Sequence, residues 1–160
     1  MDGKLTLEQL ESFLDETCDS LREDRDAVSF KEYVLAILFL KRLNDRFNLE
    51  REMRRKKLSS QGLSLRQIEE DLERKEVYRL FVPKIARWDI IKEHKEDLPS
   101  YLTKAFAEIE EKNRGCLGLL TTIDFKKLTE NGIPLLTDRD LLELIRKFEH
   151  LTLSDDYLDF

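Results

Sequence analysis

The sequence predicts an all-α protein, a single-domain helical bundle over residues 1–160 with at most a short extended segment near residues 78–83. Three observations point there. Charged residues make up 39% of the chain, against roughly 25% in an average domain, so most elements must keep one solvated face. Five glycines and three prolines leave few interruptions in 160 residues. Apolar residues recur mainly at three- and four-residue steps, the spacing of a helix with one buried stripe.

The first helix follows Thr6, which with Gln9 forms a capping-box pattern. Leu7, Leu10, Leu14, Cys18 and Leu21 then trace its apolar stripe, and the turn-prone "REDRDA" ends it. Ser29 with Glu32 repeats the pattern before the most apolar stretch of the chain. Val34, Leu35, Ile37, Leu38, Phe39 and Leu40 cover every side of that helix, as expected of a core helix surrounded by others. Leu43 and Phe47 continue one stripe, after which only Leu49 and Met53 remain apolar, so a helix unbroken to Lys57 leaves the core for solvent. "LSSQGLS" breaks at Gly62. Ser64 with Gln67 then caps a short helix to about Lys75, marked by Ile68 and Leu72. "VYRLFVPKIARW" reads as a short strand or an apolar loop, because its β-branched and aromatic residues precede Pro83 and the residue before a proline avoids helix. Pro99 suits the first turn of a helix to about Asn113, with Leu102, Ala105, Phe106 and Ile109 inward. "NRGCLG" is a stop, and Leu117, Leu119, Leu120, Ile123 and Phe125 form an irregular apolar patch. Thr137 caps a last helix with Leu141, Leu144, Ile145 and Phe148 inward.

Several function classes are disfavoured. The apolar run from Val34 to Leu40 falls far short of the ~20 residues that span a bilayer, and the N-terminus lacks the pattern of a signal peptide, so a cytoplasmic protein without membrane contact is expected. Cys18 and Cys116 are far apart with no C-x-x-C spacing, and His94 and His150 fit no ligand pattern, so no metal is expected.

The net charge of −6 conceals an uneven distribution. Residues 1–26 carry nine acids and three bases, and residues 137–160 carry seven acids and three bases. Residues 41–57 carry eight bases and three acids: Lys41, Arg42, Arg46, Arg51, Arg54, Arg55, Lys56 and Lys57 against Asp45, Glu50 and Glu52. These eight, joined by Arg87, are the candidate DNA-binding residues, because cations on phosphates supply affinity without reading sequence. The alternative is a solvated helix end in which Lys41, Arg42 and Arg46 pair with Asp45, Glu50 and Glu52 and cations complement the helix dipole. Trp88, beside Arg87, reads better as core than as a stacking platform. Asp124 in "TTIDF" has no base or nucleophile nearby in sequence and reads as a turn or cap residue. No catalytic residue is assigned.

The order of "LTLEQLESFLDETCDSLR", "FKEYVLAILFLKRLNDRF", "FVPKIARWDIIKEH" and "LTTIDF" resembles the N-terminal helical domain of the modification (methyltransferase) subunit of type I restriction–modification systems, from about Leu5 to Leu153. That resemblance implies part of an adenine-N6 DNA methyltransferase that uses S-adenosylmethionine. The implied partners are double-stranded DNA, a specificity subunit, a second modification subunit and a restriction subunit. Such enzymes hold the cofactor on a Gly-rich loop after a strand and the flipped base with an Asn/Asp-Pro-Pro-aromatic tetrapeptide. Neither occurs in this sequence, where Pro83, Pro99 and Pro134 are isolated, so the catalytic domain is expected after Phe160 and no cofactor is expected in this chain. A helical protein-interaction module without DNA contact is the rival reading.

Overall fold

The computed structural model describes residues 4–22, 27–114, 123–128, 130–154 and 158–159. It is an all-α bundle with β1 (Leu5–Thr6), α1 (Leu7–Arg22), α2 (Ala27–Ser60), α3 (Leu65–Leu72), α4 (Trp88–Ile91), α5 (Leu98–Lys112), α6 (Asp138–Glu149) and β2 (Leu158–Asp159) in order. The expected stop at "NRGCLG" is met at its first residue, since α5 ends at Lys112 with Asn113 as its C-cap, while residues 115–122, which hold the rest of that stretch and part of the apolar patch after it, lie outside the described residues.

Helix α2 organises the molecule. Its 34 residues extend about 50 Å and contact α1, α3 and α6 in turn. It begins at Ala27, two residues before the capping-box pattern at Ser29, so that serine lies inside the helix and does not start it. One face carries the core: Tyr33, Val34, Ala36, Ile37, Leu40, Leu43 and Phe47 are buried with α5 residues Leu102, Ala105, Phe106 and Ile109 and α6 residues Leu141, Leu144, Ile145 and Phe148. The expectation that α2 is enclosed on all sides is corrected at Leu35, which is 45% exposed, and at the half-buried Leu38 and Phe39. Among the described residues, that side borders Leu10 of α1 and forms an open apolar groove. Helix α1 likewise differs from its expected stripe. Leu7 is exposed, while Thr17 is buried with its hydroxyl bonded to the Phe13 carbonyl, and Phe13 meets Phe148 edge-on at 5.4 Å.

The predicted caps at Thr6, Ser64 and Thr137 all form. Thr6 and Gln9 exchange hydrogen bonds of 2.9 and 3.2 Å, Ser64 and Gln67 do the same, and Thr137 pairs with Asp140. Pro99 sits in the first turn of α5. Residues 78–83 form no strand but an apolar loop, with Tyr78, Phe81, Val82 and Pro83 buried. The extended segments are β1 and β2, paired in parallel with Leu5 opposite Leu158 and Thr6 opposite Asp159.

Two buried asparagines hold that loop, and neither had been singled out by sequence pattern. Asn44 on α2 donates to the Leu40 and Ala86 carbonyls at 3.0 Å and accepts from the Trp88 amide at 2.7 Å. Asn113, at the end of α5, accepts from the Phe81 amide and donates to the carbonyls of Phe81 and Ile109. A buried loop must satisfy its backbone groups without water, and each amide side chain supplies both a donor and an acceptor for this.

Candidate nucleic-acid interface

The basic segment runs across both halves of α2, with Lys41, Arg42 and Arg46 before Phe47 and Arg51, Arg54, Arg55, Lys56 and Lys57 beyond it. Past Phe47 α2 has its own small apolar contact, in which Leu58 packs with Ile68 and Leu72 of α3 and with Leu63. The hairpin between them is a Schellman motif. Gly62 takes φ +79°, the Leu63 amide reaches the Leu58 carbonyl at 3.4 Å and the Gly62 amide reaches that of Ser59 at 3.1 Å. This turn folds α3 back along the cationic face of α2.

The consequence for the nine candidate residues is a division into three groups. Lys41, Arg42 and Arg46 lie on the core half. Lys41 is buried and bonds both Asp45 oxygens at 2.6 and 2.8 Å, Arg42 donates to the Leu153 carbonyl, and Arg46 stands 3.8 Å from Glu50. Asp45 also accepts from the Leu153 amide at 2.8 Å, so Arg42 and Asp45 together hold the segment that leaves α6. Arg51, Arg54, Arg55 and Arg87 turn towards α3. Arg51 and Arg87 converge on Glu73, Arg87 bidentately at 3.0 and 2.7 Å, while Arg54 bonds Asp71 and Arg55 bonds Glu69. Lys56 and Lys57 form the third group: both are exposed, and among the described residues neither makes an ion pair.

The second group is an organised charge network on an aromatic floor. The Arg51 and Arg87 guanidinium carbons lie 5.6 and 5.3 Å from the Phe47 ring centroid, and Phe47, Tyr78 and Phe81 contact one another at 4.6–5.8 Å. Hydrogen bonds from Arg87 and then Arg51, working against partial burial, lower the Glu73 carboxyl to about 2. The Arg54 hydrogen bond holds Asp71 below its ordinary value, and the same bond raises Arg54. Helical spacing in the sequence pairs these cations only with carboxylates of α2 itself. The carboxylates of α3 lie 14 to 22 residues away in sequence, beyond any helical repeat.

Trp88 is buried, with the Lys41 ammonium 5.6 Å from its ring centroid, and so is not an exposed stacking platform. Asp124 serves a turn, its carboxylate accepting from the Lys126 amide at 2.9 Å. Among the described residues no group of histidine, cysteine and carboxylate side chains could hold a metal ion, and no helix is long and apolar enough to cross a membrane. A different surface lies on the uncovered side of α2. There Leu35, Leu38 and Phe39 form an apolar groove with Leu10, Leu153 and Leu158.

These features define a helical domain whose longest helix projects a paired, cationic hairpin from the core. The chain belongs to the HsdM N-terminal domain family, which it matches over residues 10–148. That family forms the N-terminal part of the modification subunit of type I restriction–modification systems. No curated protein matches the chain.

Proposed function

We propose that this domain contacts DNA and joins subunits within a site-specific adenine-N6 DNA methyltransferase acting in the cytoplasm. The cofactor, S-adenosylmethionine, is held by a catalytic domain elsewhere in the modification subunit. The partners are double-stranded DNA, a specificity subunit that reads the target, a second modification subunit and, for restriction, a restriction subunit. The observation that carries this reading is the family match over 139 residues, from 10 to 148.

Of the nine candidate DNA-binding residues, we assign direct phosphate contact to Lys56 and Lys57. Arg51, Arg54, Arg55 and Arg87 keep the hairpin in place beneath them, and Lys41, Arg42 and Arg46 hold the core half of α2. A lysine with no internal partner gives up only water and counterions when it meets a phosphate, whereas a paired arginine must first break its ion pair. The test is Lys56→Glu with Lys57→Glu in the assembled enzyme. Two lost contacts should flatten the slope of log affinity against log salt by roughly 2, equally on target and unrelated duplexes. A target-specific loss would instead mean base contact.

The apolar groove beside Leu35 favours a second reading, a protein-interaction module without DNA contact. It predicts that the double lysine variant leaves the salt slope unchanged and that charge introduced at Leu35 impairs subunit assembly.

A further inference from the structure

A second basic surface lies where the loop after α3 meets the end of α5. Lys75 and Arg79 come from one side and Lys112 and Arg114 from the other, lining a cleft of about 470 Å3 with Glu76 and Glu111 among them. All four cations are exposed, and among the described residues none makes an ion pair. The contrast with α2 is informative, because two carboxylates stand in the same cleft yet, among the described residues, form no ion pair with these four cations. Helix-dipole complementarity accounts for Lys112 and Arg114 at the end of α5, but not for Lys75 and Arg79, which belong to a separate segment.

The floor of the cleft is fixed. The Tyr78 hydroxyl donates to the Leu72 carbonyl at 2.7 Å, and the Asn113 amide is engaged by Phe81 and Ile109, so neither side chain offers a free polar atom to a ligand. What the cleft offers is positive charge on a rigid base. Val77, in the turn between Lys75 and Tyr78, lines the adjoining groove with Glu50, Met53, Arg54 and Lys57. Through Val77 and Glu50, whose carboxylate accepts from the Arg79 amide at 3.5 Å, the cleft adjoins the groove to which Lys57 belongs.

We propose that this cleft is a second phosphate-contacting site, which carries the DNA backbone on from Lys57 across the loop to the end of α5. The inference rests on the DNA-contacting reading above. The ligand is the phosphodiester backbone, since four exposed cations over a floor whose polar atoms are already engaged can neutralise phosphates but not read bases.

The experiment compares two variants of the assembled enzyme by titration with a duplex across salt concentrations. One is Lys75→Ala, Arg79→Ala, Lys112→Ala and Arg114→Ala together, and the other is Lys56→Ala with Lys57→Ala. The cleft variant should flatten the log–log salt slope by roughly 3–4, similarly on target and unrelated duplexes, with its thermal midpoint and subunit composition unchanged. An unchanged slope in the cleft variant overturns the proposal. If the lysine variant alone flattens the slope, the DNA-contacting reading stands while the cleft does not belong to it; if neither does, both fall. Loss of a subunit with an unchanged slope also overturns it and makes the cleft a protein contact. Should the cleft variant fail to fold, the separate Arg79→Gln and Lys112→Gln variants each carry the test, with an expected slope change of about 0.9.

Discussion

Single side chains decide how the cationic hairpin is held, and Glu73 is the clearest case. Its carboxylate receives Arg51 and Arg87 at once, so Glu73→Gln removes two charge-assisted contacts and should destabilise the fold by about 1–2 kcal/mol, the usual value discounted for partial exposure. The pH dependence follows from the direction of its shift. A carboxylate lowered from 4.5 to about 2 contributes fully above the ordinary value and loses that contribution as pH falls through the interval. Urea unfolding of the wild type and the variant should therefore differ most at neutral pH and converge as pH approaches 2. Asn44 is the second case. Asn44→Leu leaves the Ala86 carbonyl and the Trp88 amide without their partner inside the core, at a cost of about 2–4 kcal/mol, readable as a lowered urea midpoint.

At the scale of elements, the sequence announced helix ends better than helix environments. Capping boxes are local chemistry, so Thr6, Ser64 and Thr137 could be read directly, as could Gly62 at the hairpin. Gly62→Ala should cost about 1–2 kcal/mol from backbone strain alone, since nothing lies within 4 Å of an added Cβ. Environments depend on what packs alongside. Leu35 and Ile37 are equally apolar in sequence, yet Leu35 faces the open side of α2 and Ile37 is fully buried. Ile37→Asp should unfold the domain, because an unpaired buried carboxylate costs several kcal/mol, whereas Leu35→Asp should leave its circular dichroism and thermal midpoint nearly unchanged. The β1–β2 pair escaped sequence reading for another reason. Two-residue strands carry no periodicity, and their partners lie at opposite ends of the chain.

For the whole molecule, the basic segment explains its own layout. Its core half fastens the chain after α6 through Arg42 and Asp45, its middle clasps α3, and only its last two lysines remain uncommitted among the described residues. The concentration of cations was legible in the sequence, but its division between structural and surface work was not, because the carboxylates that claim the arginines arrive through the hairpin fold. DNA contact at the end of α2 is best tested by placing a photo-crosslinking amino acid at Lys57 in the assembled enzyme and irradiating it with a duplex. Leu35, 22 residues earlier and about 33 Å away along the same helix, is the control position. We predict covalent capture of DNA from position 57, on target and unrelated duplexes alike, and none from position 35. Capture of protein alone from position 57 would contradict the assignment.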